Sequence, residues 1–187
     1  VTDYPLYRRQ ELLKEIITEG EQIRLVDNHD DAVSLFQAVR ELGLEGIIMK
    51  DLNSTYLING KDERWQKKKV LKDLVAVVGG VTFRSTLVNA LLLGLYDRSG
   101  QLHYIGSAGS GKLTQQDWLE LTQKVDQLRW EDSPFINPPD KKETVWLSPQ
   151  LTVKIEYLEW TKSGTLRQPS IQSFVSMDPK QCTFDQL

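Results

Sequence analysis

Apolar residues recur at helical spacing in three places along the 187-residue chain. Leu12, Leu13, Ile16 and Ile17 predict a short amphipathic helix over residues 8–17, downstream of Pro5 and ending near Glu19-Gly20. Val33, Phe36 and Val39 predict a second, capped by Asp30 or Asp31 and stopped at Leu42-Gly43. Trp118, Leu121, Val125 and Leu128 form the stripe of a third over residues 114–128, where Thr114 and Asp117 make a capping box with Asp in place of Glu. Between these, compact apolar or alternating runs predict strands at Ile23–Val26, residues 45–50, 65–69, 71–78 (ending at Gly79-Gly80), 87–96, 102–105, 144–147 and 151–158. Asn59-Gly60, Asp97-Arg98-Ser99-Gly100 and Lys162-Ser163-Gly164 are the turn signals.

The character of the chain changes within Lys69–Asp73, from mixed helix and strand to strands broken by one helix. The expected class is α+β: residues 1–71 as part of a larger α/β domain, and residues 72–187 as a small five-stranded barrel of the OB type. A 40% hydrophobic composition excludes simple disorder. The longest apolar run, Val88–Tyr96, is interrupted by Asn89 and Gly94 and falls far short of the roughly 20 residues that cross a bilayer. No membrane partner or secretory signal is expected. Cys182 is the single cysteine, which excludes an intrachain disulfide and an all-cysteine metal cluster and fits a reducing compartment. The opening Val1-Thr2-Asp3-Tyr4-Pro5, without an initiator Met, reads as the middle of something longer. No repeat, zinc-finger spacing or heptad run is visible.

Charge changes the picture locally. The formal net charge is -3, yet Lys61, Arg64, Lys67, Lys68, Lys69 and Lys72, offset by Asp62 and Glu63, give +4 over twelve residues. In a strand over 65–69, Trp65, Lys67 and Lys69 share one face and Lys68 points the other way, so paired lysines can hold phosphate oxygens. A solvated edge strand guarded by lysines explains the same pattern. Glu45-Gly46 sits at a turn before a strand that closes on Lys50, with Met49 facing away from it. A carboxylate there suits a divalent metal or a sugar hydroxyl, and Lys50 a phosphate, although plain helix-turn-strand punctuation also produces this hexapeptide.

Gly106 to Gly111 followed by Lys112 has the spacing of a phosphate-binding P-loop, but Leu113 stands where a metal-binding hydroxyl is required. Trp118 is expected in the core, and Trp146 and Trp160 in strand packing rather than base stacking. His29, beside Asp27, Asp30 and Asp31, lacks a second His nearby, and Cys182 reads as an inert tail residue.

Taken together, Glu45-Gly46-Ile47-Ile48-Met49-Lys50 and Trp65-Gln66-Lys67-Lys68-Lys69 resemble the fourth and fifth nucleotidyltransferase motifs of the ATP-dependent DNA ligases, covalent nucleotidyltransferases. Ser54, Tyr56 and Gly60-Lys61 match the spacer typical of bacterial ligases. Leu93–Asp97, Tyr104–Gly111 and Leu166-Arg167-Gln168-Pro169 resemble the OB domain of the bacterial end-joining type, ligase D. The resemblance covers nearly the whole chain. It implies ATP and Mg2+ (or Mn2+) as cofactors, with Glu45 on the metal, Lys67 and Lys69 on the α-phosphate, and Lys50 on the phosphate side or structural. Lys61, Arg64, Lys72 and Lys112 are then the DNA-contacting cations. Nicked or broken duplex DNA is the implied partner, with the bacterial Ku end-binding protein, and a cytoplasmic, nucleoid-associated location follows.

The family's nucleophilic lysine lies in a Lys-x-Asp-Gly motif, and no such tetrapeptide occurs in this chain. Tyr4-Pro5-Leu6-Tyr7-Arg8-Arg9 resembles the stretch after the family's third motif, so residues 1–71 are expected to be the C-terminal part of the adenylation domain and to need an upstream portion. The chain alone is expected to be inactive. In the family's last motif an Arg and an Asp-Lys pair act on the β- and γ-phosphates; here Val175 takes the place of the Arg and Met177-Asp178 lacks the lysine. Lys180 reaches that place only with a register shift, and Arg167 suits a structural contact. A noncatalytic OB-type nucleic-acid-binding module, an RNA ligase and a capping-type nucleotidyltransferase are the competing readings.

Overall fold

Residues 1–141 and 143–187 are described by the computed structural model, and they divide into two units, Val1–Val70 and Leu71–Leu187. In the first, helix α1 (Leu6–Ile16) and helix α2 (Ala32–Glu41) precede an antiparallel pair, β1 (Gly46–Lys50) and β2 (Trp65–Lys69). Asp31 caps α2 by accepting from the backbone N–H groups of Val33 and Ser34, which satisfies two donors left orphaned at a helix start. Val33 itself is exposed, and the inward face of α2 is Leu35, Phe36 and Val39.

Among the described residues of this unit, Leu6 and Val39 are the only buried apolar side chains, whereas Leu13, Ile16, Ile23, Val26 and Ile58 are exposed. The expected strand at Ile23–Val26 is a loop. Its polar backbone is satisfied locally, since Gly20 donates to the carbonyl of Ile23 and Leu25 donates to the Glu19 carboxylate. No strand lies beside it among the described residues to form a ladder.

The second unit is built on one antiparallel sheet, in the order β5-β4-β3-β6-β9. Its strands are β3 (Lys72–Arg84), β4 (Leu87–Tyr96), β5 (Leu102–Ala108), β6 (Thr144–Tyr157) and β9 (Ser170–Val175); a small pair, β7 (Glu159–Trp160) and β8 (Leu166–Arg167), forms a separate ribbon. Helix α3 (Gln115–Leu128) starts in the expected capping box, with Thr114 and Asp117 bonded reciprocally, and buries Leu121 and Val125 against the sheet. The Thr122 hydroxyl accepts from the N–H of Val88, joining α3 to β4.

The expected OB barrel is not formed. The sheet has two free-ended edge strands, β5 and β9, and among the described residues no ladder joins them. Closure requires a continuous register between the first and last strands. Here the chain beyond β5 meets β9 only at an isolated bridge between Gly111 and Ile171, with Lys112 N donating to Ile171 O at 2.7 Å. The architecture is therefore α+β with open antiparallel sheets.

Two other expectations also change. β3 does not stop at Gly79-Gly80 but runs through them, because a bulge between Val78 and Gly80 absorbs the irregularity. The segments 144–147 and 151–158 are one strand, β6. Its residues 147–150 loop out of register opposite that bulge, which accommodates Pro149 where no ladder N–H is needed.

Phe135 explains why glycines sit at this place in adjacent strands. The buried ring packs where a Cβ on Gly79 of β3 or on Gly94 of β4 would stand. It also meets Tyr104 and Trp146 edge to face, at centroid distances of 5.7 and 6.0 Å. The C-terminal segment closes the same core from another side. Tyr96 N donates to Cys182 O, the Gln186 side chain bonds both backbone groups of Val75, and Phe184 packs against Trp160. Cys182 is thus a fully buried core residue rather than a tail residue, and burial pushes its thiol up to about 11. No helix among the described residues is long and apolar enough to cross a membrane.

Phe135→Ala should cost about 3–5 kcal/mol and Gly94→Ala about 1–3 kcal/mol in urea unfolding. The Gly94→Ala cost should shrink in a Phe135→Leu background if the ring is what the new methyl meets. Equal costs in both backgrounds would show that the glycine is needed for another reason. Hydrogen exchange should be faster at the amides of β1 and β2 than at those of β3, β4 and β6, since the first unit has almost no apolar core of its own. Uniform protection through both units would contradict this.

Candidate functional site

The β1–β2 pair carries three of the residues singled out from sequence, Lys50, Lys67 and Lys69. Its register sets Lys50 opposite Trp65, Ile48 opposite Lys67 and Gly46 opposite Lys69. Alternation then places Lys50, Trp65, Lys67 and Lys69 on one face. The opposite face carries Lys68, whose ammonium lies 5.8 Å from the centre of the Phe36 ring on α2. Three of the four lysines of this hairpin therefore share a face turned away from α2.

Gly46 is the residue that lets the two strands meet. Its φ is +151°, and a Cβ there would overlap the backbone carbonyl of Lys68. Only glycine tolerates both conditions. Glu45, immediately before it, has an exposed side chain, while its carbonyl accepts from Val70 N at 2.8 Å, extending the hairpin by one bond. The Glu45 backbone is thereby held at the start of β1, beside the end of β2 that carries Lys69.

What fixes β2 is a buried hydroxyl. Ser54, fully buried, accepts a hydrogen bond from the indole N–H of Trp65 at 2.8 Å and donates to Asp51 O at 2.6 Å. Its carbonyl accepts from the Arg9 guanidinium on α1 at 3.1 Å. Arg9 also lies 5.7 Å from the centre of the Tyr56 ring, Tyr56 meets Trp65 edge to face at 6.5 Å, and the Lys50 ammonium rests 4.6 Å from the centre of a Trp65 ring. Sequence pattern does not single out Arg9, and it gives Ser54 and Tyr56 only as spacer matches. The one available signal was a Trp in an otherwise lysine-rich strand, whose N–H must find an acceptor when buried.

The remaining cations are distributed unevenly. Lys61 lies on the loop between β1 and β2. Arg64, nearby, is committed to Asp62 through two bonds of 2.8 Å, which holds the Asp62 carboxyl below the usual carboxylate range. Lys72 and Lys112 belong to the second unit, on the first residue of β3 and on the loop after β5. In that loop Ser110, Gly111 and Lys112 have backbone groups engaged with Ile171, so the glycines serve a strand contact and do not form an anion cradle. Arg167 pairs with Glu159 at 2.6 Å, and the Lys180 ammonium sits 4.0 Å from the centre of the Tyr96 ring. Trp146 and Trp160 pack against the core, as expected from sequence.

No group of three potential metal-ligating side chains is found among the described residues. Glu45 alone fits Mg2+ only in the mode where phosphates and waters supply the other ligands.

Two family models match in succession: an ATP dependent DNA ligase domain over residues 1–69 and the ATP dependent DNA ligase C terminal region over residues 84–175. The chain belongs to the ATP-dependent DNA ligase family. It is 29% identical to the "Probable DNA ligase" of Dictyoglomus thermophilum, with 95% of this chain and 35% of that protein covered. It is 31% identical to the "Multifunctional non-homologous end joining protein LigD" of Pseudomonas aeruginosa, covering 74% and 17% respectively. Among solved structures, the ligase domain of M. tuberculosis LigD is similar with a TM-score of 0.59 and 26% identity, over 97% of this chain and 61% of that one. The chain thus spans about a third or less of the length of these curated relatives.

Ser54→Ala should leave the Trp65 N–H without an acceptor and destabilise the first unit by about 1–3 kcal/mol. Trp65 fluorescence is crowded by four other tryptophans, so the measurement is indole N–H exchange by NMR. An unchanged Trp65 indole signal would show that the hydroxyl does not hold it.

Proposed function

We propose that this chain is part of an ATP-dependent DNA ligase that seals DNA strand breaks through a lysyl-AMP intermediate, in double-strand break repair by end joining. The carrying observation is the shared hairpin face with Lys67 and Lys69, next to the Glu45-Gly46 turn. In this reading residues 1–71 complete an adenylation domain and residues 72–187 form the domain that follows it. An upstream portion supplies the nucleophilic lysine, and the bacterial Ku protein is the partner at broken ends.

Phosphoryl transfer places extra negative charge on the α-phosphate oxygens, first when a lysine amine displaces pyrophosphate, then when a 5′-phosphate takes the AMP. Two ammonium groups projecting from alternate residues of one strand are preorganised for that charge and need no rearrangement as it develops. Lys50, held at Trp65, adds positive potential on the same face. Glu45 is the carboxylate for Mg2+ or Mn2+, which when bound neutralises phosphate charge. Lys61, Arg64, Lys72 and Lys112 are assigned to the phosphates of nicked or broken duplex DNA, with Arg64 the weakest contributor because Asp62 already neutralises it.

The chain by itself should take no adenylyl label from ATP and seal no nick. Mixed with a separately expressed upstream portion, it should regain labelling; in that mixture Lys67→Ala or Lys69→Ala should lower the rate of the chemical step roughly 100-fold or more. Glu45→Ala should be partly relieved by raised Mg2+ or Mn2+. A labelled lysine on the 187-residue chain alone would overturn the assignment, and unchanged labelling by both lysine variants would remove them from the α-phosphate.

A further inference from the structure

A sheet edge presents backbone donors and acceptors in a row, and the second unit covers several such positions with its own chain. On β5, Ile136 N donates to Leu102 O at 3.0 Å, and the Asn137 side chain bonds both backbone groups of Tyr104. Where β4 ends beside β3, the Gln186 side chain does the same for Val75. On β9, Ile171 N donates to Ser110 O, and Ile171 O accepts from Lys112 N. Two residues later Thr114 caps α3, and the covering segment ends.

The next outward position on β9 lies beyond that cover. Val75 gives its backbone groups to Gln186, so alternation directs those of Ala76 to Val153 of β6, and those of Thr152 and Lys154 to Val175 and Ser173 of β9. Phe174, between Ser173 and Val175, is left with its N–H and C=O turned outward. Among the described residues no segment outside the sheet bonds them.

This edge opens into a groove of about 480 Å³ between β9 and α3, with Leu121, Leu151, Phe174, Val175 and Met177 as its apolar lining. Its strand side is fixed by Thr152, a buried residue whose hydroxyl donates to Val175 O at 2.7 Å and accepts from Met177 N at 3.4 Å. The helix side carries Asp117, Glu120 and Lys124, two carboxylates against one ammonium. The side-chain partners of those carboxylates, Thr114 and Gln116, are neutral and leave both negative charges in place.

An open N–H and C=O beside an apolar cleft with an acidic rim match an extended polypeptide of alternating apolar and basic residues. We propose that the groove between β9 and α3 takes such a segment of a partner protein as an added strand, paired to Phe174, with apolar side chains in the cleft and a Lys or Arg beside Glu120. Backbone pairing supplies attraction whatever the sequence, and the cleft and rim supply the preference. Nucleic acid is disfavoured there, because its phosphates would meet Asp117 and Glu120. The groove shares no residue with the β1–β2 hairpin, so this surface does not depend on the phosphate chemistry proposed above.

The probe is a capped seven-residue peptide alternating Val and Lys, titrated into the 187-residue chain and followed by amide NMR. The Phe174 amide signal should shift to saturation, and its hydrogen exchange should slow about tenfold or more in the bound state. Glu120→Lys, at an exposed helix position, should weaken binding about fivefold without altering the fold. An otherwise identical peptide with its backbone nitrogens methylated should not bind, since it has no donor for the Phe174 carbonyl. Unchanged Phe174 exchange at millimolar peptide overturns the proposal, as does equal binding of the methylated peptide or of one alternating Val and Glu. The same shifts with single-stranded DNA would assign the groove to nucleic acid, and Phe174 protection that grows with protein concentration alone would assign it to a second copy of this chain. Either result overturns the proposal too.

Discussion

Successive side chains of a β-strand point to opposite faces, and most of what this protein presents to its surroundings depends on that alternation. In β2 it divides a run of three lysines, sending Lys68 toward Phe36 and leaving Lys67 and Lys69 together with Trp65. A slip of one residue would exchange the two sets. Two contacts prevent the slip. The Trp65 indole is bonded to buried Ser54, and Gly46 admits the backbone of β2 at a distance no side chain allows.

The two units differ in how they are held together. The second has a continuous apolar core running from Leu74 and Val81 through Leu91 and Leu95 to Ile155 and Ile171, all buried. Burial on that scale is the main favourable term in folding. The first unit relies instead on a polar hub, in which Arg9, Ser54, Asp51 and Trp65 link α1, the loop and the hairpin. Hydrogen bonds of this kind specify geometry more than they add stability, since each replaces a bond to water. A unit of that construction positions charges well while leaving Leu13, Ile16 and Ile58 at its surface.

Local charge matters more than the net value. The chain carries -3 overall, yet several of its acids are each spent on one cation: Asp62 on Arg64, Asp73 on Lys154, Glu159 on Arg167 and Asp185 on Arg98. On the hairpin face the Lys50 ammonium instead leans on the Trp65 ring, a contact that leaves its charge in place. At physiological ionic strength the screening length is about 8 Å, so a phosphate near that face responds to the local lysines and hardly to distant acids.

Local rules were enough to read much of this from the sequence. The capping box at Thr114, the cap at Asp31, the β4 boundaries and the grouping of Trp65, Lys67 and Lys69 all follow from interactions within a few residues, and the ordered motifs by themselves point to the ligase family. Interactions between distant segments decided the rest. Whether β5 and β9 join into a barrel depends on a ladder between residues some seventy apart, and a single bridge at Gly111 and Ile171 leaves it open. Gly79-Gly80 and Pro149, each a strand-breaking signal alone, cancel one another across a shared bulge because they face each other in the sheet. Cys182 and Arg9 looked peripheral because nothing next to them in sequence explains them; one is buried by the fold of the second unit, and the other becomes a clamp only when α1 lies beside Ser54. Sequence determined which residues carry the charge and which elements form, since those are short-range matters of sterics and hydrogen bonding. Tertiary structure alone decided which residues pair across distant segments and whether the sheet closes, because both depend on partners brought together from far along the chain.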